Sequence, residues 1–230
     1  MFHIVSATRK NIDEFWLNSA LGQSLRRFYQ RFPFKAHIAY NNSLGLPKVY
    51  NQIVQNLECN DDLIVFVHDD IWIDDLFFFE NLKESLSIFD VVGVVGCQIR
   101  VPFQVNWAFA SRDIHTRQSE WISLNILSGS IAHGQHPTGE VSYYGPSKKG
   151  CKLLDGCFLA SKVATLQGKS VFFDEQFNFH CYDTDFCRTA EIAGLKMGTW
   201  PLSLTHQSTG KVKYDVWDKE FERYRVKWSE

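Results

Sequence analysis

Leu63-Ile64-Val65-Phe66-Val67-His68-Asp69-Asp70-Ile71-Trp72-Ile73-Asp74-Asp75 decides how the rest of the chain reads. Its first five residues are apolar, β-branched or aromatic, and Asn60-Asp61-Asp62 precedes them. That pattern predicts a strand buried on both faces. The strand stops at His68-Asp69-Asp70. Neighbouring carboxylates repel, and burying them unpaired is costly. No Lys or Arg lies between Asp61 and Asp75 to neutralise them. A divalent cation removes the conflict, since carboxylate oxygens and an imidazole are ordinary ligands of Mg²⁺ or Mn²⁺. A solvated turn at a strand end removes it too, and from this stretch alone both readings stay open.

Working outward, Phe2 to Ala7 is a short apolar strand leading into Thr8-Arg9. Asn11 and Glu14 have the spacing of a capping box, so a helix follows, with Phe15, Leu17, Leu21, Leu25 and Phe28 on its apolar face. Lys35 to Tyr40 reads as a second strand and Asn41-Asn42-Ser43 as a turn. Gly45-Leu46-Pro47 opens a helix, with Pro in its first turn. Beyond the central stretch, Asp75 to Phe89 reads as a helix and Val91 to Cys97 as one buried strand. Strands alternating with helices predict a mostly parallel central sheet with helices on both faces, in a single α/β domain. Ligands of such sheets sit outside the carboxyl ends of the strands. That rule places Thr8, Arg9, Asn41 and Asp70 along one crevice.

Residues 102–150 break the alternation, and 128–150 read as a long loop of the kind that forms lids. Regular structure returns at Leu153 to Ala160, a strand interrupted by Asp155-Gly156. Tyr182-Asp183-Thr184-Asp185 opens a helix that stops at Gly194, and at least one of the two Asp reads as its N-cap. Met197 to Leu204 reads as the last strand, and Tyr214 to Trp228 as a C-terminal helix or tail.

With 230 residues the chain is long enough for one large α/β domain. Its net charge of −2, with no dense basic stripe, gives no reason to expect a nucleic-acid partner. The 19 Phe predict a core rich in rings. The six Cys lack the spacing of a zinc site; Cys97, Cys157 and Cys187 sit in apolar settings and read as buried thiols of a reducing cytoplasm. No apolar run approaches the ~20 residues that span a bilayer. The expected location is therefore cytoplasmic or membrane-peripheral.

The order of these motifs resembles the family 2-type nucleotide-sugar glycosyltransferases of the GT-A (Rossmann-like) fold, and most closely a bacterial branch whose central motif is H-D-D. The resemblance rests on His3 to Thr8, Ser43 to Asn51, His68-Asp69-Asp70, Asp155-Gly156, Phe173-Asp174-Glu175-Gln176-Phe177, Tyr182 to Asp185 with Arg188 and Gly194, and His206. It covers most of the chain, residues 102–150 least. Two positions depart from the family pattern: His68 stands for the first Asp of Asp-x-Asp, and Tyr182 stands for a Glu.

The resemblance implies a nucleotide-binding half over residues 1–100 and an acceptor-side half over 101–230. It implies transfer of a sugar from a nucleoside-diphosphate sugar, a UDP-sugar first among them, to a saccharide or lipid-linked hydroxyl, with inversion. Mn²⁺ or Mg²⁺ would be held by Asp70, with His206 and either His68 or Asp69 completing the set. Asp183 would be the base. Thr8, Arg9, Asn41, Lys48, Asn51, Asp69 and Asp155 would contact the donor. His206 precedes a small, polar stretch, and residues 206–213, with Lys211 and Lys213, read as a segment that closes over the diphosphate. A metal-dependent phosphoesterase and a non-catalytic sugar-binding module are the competing readings.

Overall fold

The computed structural model describes all residues except 59, 114, 115, 117, 209–213 and 230. Cys59, Lys211 and Lys213 therefore lie outside the described residues, and so does most of the expected closing segment. In chain order, β1 (Phe2–Ala7) leads to α1 (Ile12–Asn18) and α2 (Ala20–Phe28). The Asn11–Glu14 capping box forms as expected. The single predicted helix is two, however. The Ser19 hydroxyl donates to the Phe15 carbonyl at the end of α1 and accepts from the Gly22 N–H at the start of α2, a double cap that the apolar periodicity does not encode.

There follow β2 (Phe34–Ala39), α3 (Leu46–Asn56), β3 (Leu63–Val67), β4 (Ile71–Ile73), α4 (Phe78–Ser85), β5 (Val91–Gly93) and β6 (Val95–Cys97). Next come β7 (Phe109–Arg112), β8 (Ser119–Trp121), β9 (Leu127–His133), β10 (Glu140–Gly145), β11 (Leu153–Leu154), β12 (Phe158–Lys162) and α5 (Val163–Gly168). The chain closes with α6 (Tyr182–Ile192), β13 (Met197–Thr199), β14 (Leu204–His206) and α7 (Tyr214–Trp228).

The fold is mixed α/β with a central six-stranded sheet in the order β13-β5-β12-β3-β1-β2. β1 runs parallel to β2 and β3, β13 runs parallel to β5, and only β12 is antiparallel to its neighbours β3 and β5. All five residues of β3 are buried, as the apolar run requires. Phenylalanines fill much of the core: the Phe28 and Phe79 rings meet edge to face at 5.5 Å, and Phe79 stacks on Phe32.

A second sheet has the order β11-β6-β9-β14-β4 with β10 on β9, and its pairs are antiparallel except β9 with β14. The expected loop over 128–150 is the β9–β10 hairpin at its heart. Gly129, at φ +95°, presses its backbone against the Val94 carbonyl where no side chain fits. Such glycines hide the strand pattern from a sequence reading.

Three runs read as single strands are each divided between the two sheets. Val94 separates β5 from β6, Asp155-Gly156-Cys157 separates β11 from β12, and Trp200 to Ser203 separates β13 from β14. His68-Asp69-Asp70 makes the same passage between β3 and β4. The two polar passages are joined, since the His68 N–H donates to the Cys157 carbonyl at 3.0 Å.

Candidate active site

The polar passages lie where the parallel strands β1 and β3 end. The carbonyls there are engaged, which helps fix the side-chain directions: Leu21 N–H donates to the Asp69 carbonyl, and Gln207 N–H donates to the Asp70 carbonyl. His68 and Asp69 then face two different cavities.

The larger cavity, about 630 Å³, is lined by Thr8, Arg9, Lys10, Asn42 to Leu46, Asp69 and the Asn178-Phe179-His180 turn. Asp69 is held in place, since the Thr8 hydroxyl donates to it at 2.5 Å and Lys10 Nζ lies 3.5 Å away. The smaller cavity, about 150 Å³, is lined by His68, Val105, Asn106, Asp155, Tyr182, Asp183 and Trp217 among others. Phe179 and His180 line both.

Asp183 accepts from the Gly156 N–H at 2.9 Å and the Thr184 N–H at 2.8 Å. Burial and the neighbouring Asp155 nonetheless push its carboxyl up to about 6. Asp155 accepts from Trp107 Nε1 at 2.6 Å and from the Cys157 N–H at 2.7 Å. Neither Asp183 nor Asp185 is the N-cap of α6, contrary to expectation. That position is Cys181, whose left-handed backbone (φ +59°) turns the chain into the helix. Asp185 instead accepts from Lys227 and Trp228, tying α6 to α7.

His68, Asp70 and His206 each offer one ligand atom, and these atoms all lie within 4.8 Å of one another. Asp70 Oδ1 is buried and makes no hydrogen bond, although His206 Nε2 is only 3.3 Å away. Burial works to raise the Asp70 carboxyl, but the imidazoles of His206 and His68 override it and hold it low. Burial likewise works to lower His206, and Asp70 overrides it. Burial lowers His68, which favours its neutral, metal-ligating form.

Three expected donor contacts are not brought to either cavity. Asn41 is exposed, and its neighbour Asn42 lines the larger cavity in its place. Lys48 is exposed on α3 and lines neither cavity. Asn51 is buried, and its amide brackets Phe173: Nδ2 donates to the Phe173 carbonyl, and Oδ1 accepts from the Phe173 N–H. That pairing across 122 residues is invisible in the sequence.

The sequence reading also passed over Glu220. It is 3% exposed and sits on α7 between Trp217 and Tyr224, in the buried phase of that helix. Oε1 accepts from the N–H and side chain of Asn178, and Oε2 accepts from the Phe179 and His180 N–H groups. α7 thus holds the turn that walls both cavities. An acid in the apolar phase of a helix was the available signal.

No protein-family model matches the chain. No curated protein sequence matches it either. Among solved structures, it is similar to S. aureus TarS 1-349 with a TM-score of 0.47 at 11% identity, over 99% of this chain and 72% of that one. It is similar to the catalytic domain of Drosophila beta1,4galactosyltransferase 7, in complex with xylobiose, with a TM-score of 0.42 at 14% identity, over 86% of this chain and 63% of that one. It is similar to Francisella tularensis 2-C-methyl-D-erythritol 4-phosphate cytidylyltransferase with a TM-score of 0.46 at 10% identity, over 98% and 100% respectively. Among the described residues, no helix is long and apolar enough to cross a membrane.

Proposed function

We propose that this chain is a GT-A-type glycosyltransferase of bacterial surface-glycan synthesis. It moves a sugar from a nucleoside-diphosphate sugar, UDP-linked first among the candidates, to a saccharide or lipid-linked hydroxyl, with inversion and with a divalent cation. One observation carries the reading. Within one tripeptide, Asp69 lines a roomy cavity together with Arg9 and Lys10, and His68 lines a small cavity together with the raised carboxyl of Asp183.

A cation fits His68, Asp70 and His206, because it would satisfy the orphaned Asp70 Oδ1 and the imidazole facing it. When bound, it supplies positive charge beside the leaving diphosphate. Two imidazoles in the set favour Mn²⁺ over Mg²⁺, whose usual ligands are all oxygen.

The chain's own residues divide the remaining work. Arg9 and Lys10 meet the phosphates, and Asp69, steadied by Thr8, orients donor hydroxyls. Asp183 accepts the proton of the acceptor hydroxyl, whose oxygen bonds to the anomeric carbon as the bond to the diphosphate oxygen breaks. Asp155, fixed by Trp107, shapes the acceptor side.

Incubating the protein with a panel of nucleotide-sugars and Mn²⁺ tests this. Slow nucleotide release that accelerates with an acceptor is the expected result. Phosphate-ester cleavage indifferent to any sugar acceptor would point to hydrolysis, and binding without turnover to a sugar-binding module.

A further inference from the structure

The two cavities that meet at Phe179-His180 differ in charge. Arg9 and Lys10 line the larger one, with Lys10 beside Asp69 at 3.5 Å. The smaller one is lined by Asp155 and Asp183, and among the described residues no Lys or Arg lines it. Its imidazoles are those of His68, whose Nε2 is engaged by the Tyr182 hydroxyl, and of His180, which it shares with the larger cavity.

Neither carboxylate is free to swing away. Both oxygens of Asp155 are engaged by Trp107 and Cys157, and both oxygens of Asp183 by Gly156 and Thr184. The rest of the lining is uncharged. Val105, Phe179 and Trp217 offer apolar surface, while Asn106 and Thr184 offer neutral polar groups. That mixture suits the C–H faces and hydroxyls of a sugar ring.

We propose, on the glycosyl-transfer reading above, that the smaller cavity takes an uncharged saccharide hydroxyl and rejects acceptors bearing a phosphate or carboxylate beside that hydroxyl. An anion there would meet two fixed carboxylates in a partly desolvated pocket with no counter-cation. Like charges so placed cost several kcal/mol. A cation held by His68, Asp70 and His206 would be offset by Asp70 and the donor diphosphate, and of those three residues only His68 lines this cavity. The cavity's charge thus sorts the two substrates: the anionic one to the Arg9–Lys10 side, the neutral one to the Asp155–Asp183 side.

The test is binding of methyl hexopyranosides, their 6-phosphates and the corresponding methyl uronides to the full chain with UDP and Mn²⁺, read by saturation-transfer NMR. A neutral glycoside should bind about 10-fold or more tighter than either anionic form. Phe179→Arg, at an exposed position lining both cavities, adds a charge without touching the core and should narrow that gap. Equal or tighter binding of an anionic glycoside to the wild type overturns the inference, as does binding of none of the three. UDP titrated alone with Mn²⁺ reports separately on the glycosyl-transfer reading. If UDP binds and the neutral preference is absent, only the inference falls. If UDP does not bind, both fall.

Discussion

The Tyr182 hydroxyl donates to the Gly156 carbonyl at 2.7 Å and lies 2.8 Å from His68 Nε2. A phenol has one proton, so at the second contact His68 is the donor. His68 therefore carries its proton on Nε2 and keeps its lone pair on Nδ1. These are the two positions at which the sequence departs from the glycosyltransferase pattern, and they touch. A Glu at position 182 would bring a further charge beside Asp155 and Asp183. A neutral phenol instead fixes the tautomer of a neutral imidazole.

Tyr182→Phe should weaken Mn²⁺ binding by about 10–100-fold, the usual worth of a partner that orients a metal-ligating histidine. Tyr182 is 2% exposed and its ring is retained, so the fold should survive. Electron paramagnetic resonance of free Mn²⁺ measures the affinity. An unchanged value would detach Tyr182 from the cation site.

Asp70→Ala should abolish Mn²⁺-dependent UDP binding and turnover while leaving the far-ultraviolet circular dichroism unchanged. The fold should survive, since the buried Oδ1 makes no hydrogen bond and its neighbour is the His206 imidazole at 3.3 Å. Exhaustive chelation of the wild type should produce the same loss, and transfer that persists after chelation would remove the cation from the mechanism.

Asp183 is raised to about 6, so its carboxyl stays protonated in mild acid and ionises as the pH climbs through that value. A base must be ionised to accept a proton. Transfer should therefore rise with pH across about 6 and level off above it. Asp183→Asn should remove that limb, lower transfer by about 10²–10⁴-fold and leave UDP affinity close to normal. Near-normal transfer by the variant would make Asp183 a structural acceptor for Gly156 and Thr184.

Glu220→Ala should cost about 3 kcal/mol or more, because it strips a charged acceptor from a cluster of donors on one short turn. Thermal unfolding measures the loss. Since the turn walls both cavities, UDP affinity of the folded variant should fall as well. A lowered melting temperature with unaltered UDP affinity would confine Glu220 to stability.

Local pattern determined much of this protein in the sequence. The apolar run of β3 and its stop at His68-Asp69-Asp70, the Asn11–Glu14 cap, the Pro47 helix start and the ring-rich core all depend on neighbours a few residues apart. For the same reason Thr8, Arg9, Asp69, Asp70, Asp155, Asp183 and His206 could be singled out, each lying at the end of a readable element or in a motif.

Tertiary structure decided what neighbours do not encode. Sheet membership depends on which distant strand supplies the hydrogen bonds, so Val91 to Cys97, Leu153 to Ala160 and Met197 to Leu204 read as single strands yet divide between two sheets. Burial alone does not say what a polar side chain serves: the Asn51 amide is consumed by Phe173, and the Glu220 carboxylate by a turn some 40 residues away. The pairing of His68 with Tyr182, across 114 residues, is of the same kind. Periodicity reports how deep a residue lies, but only the folded chain determines which group it meets there.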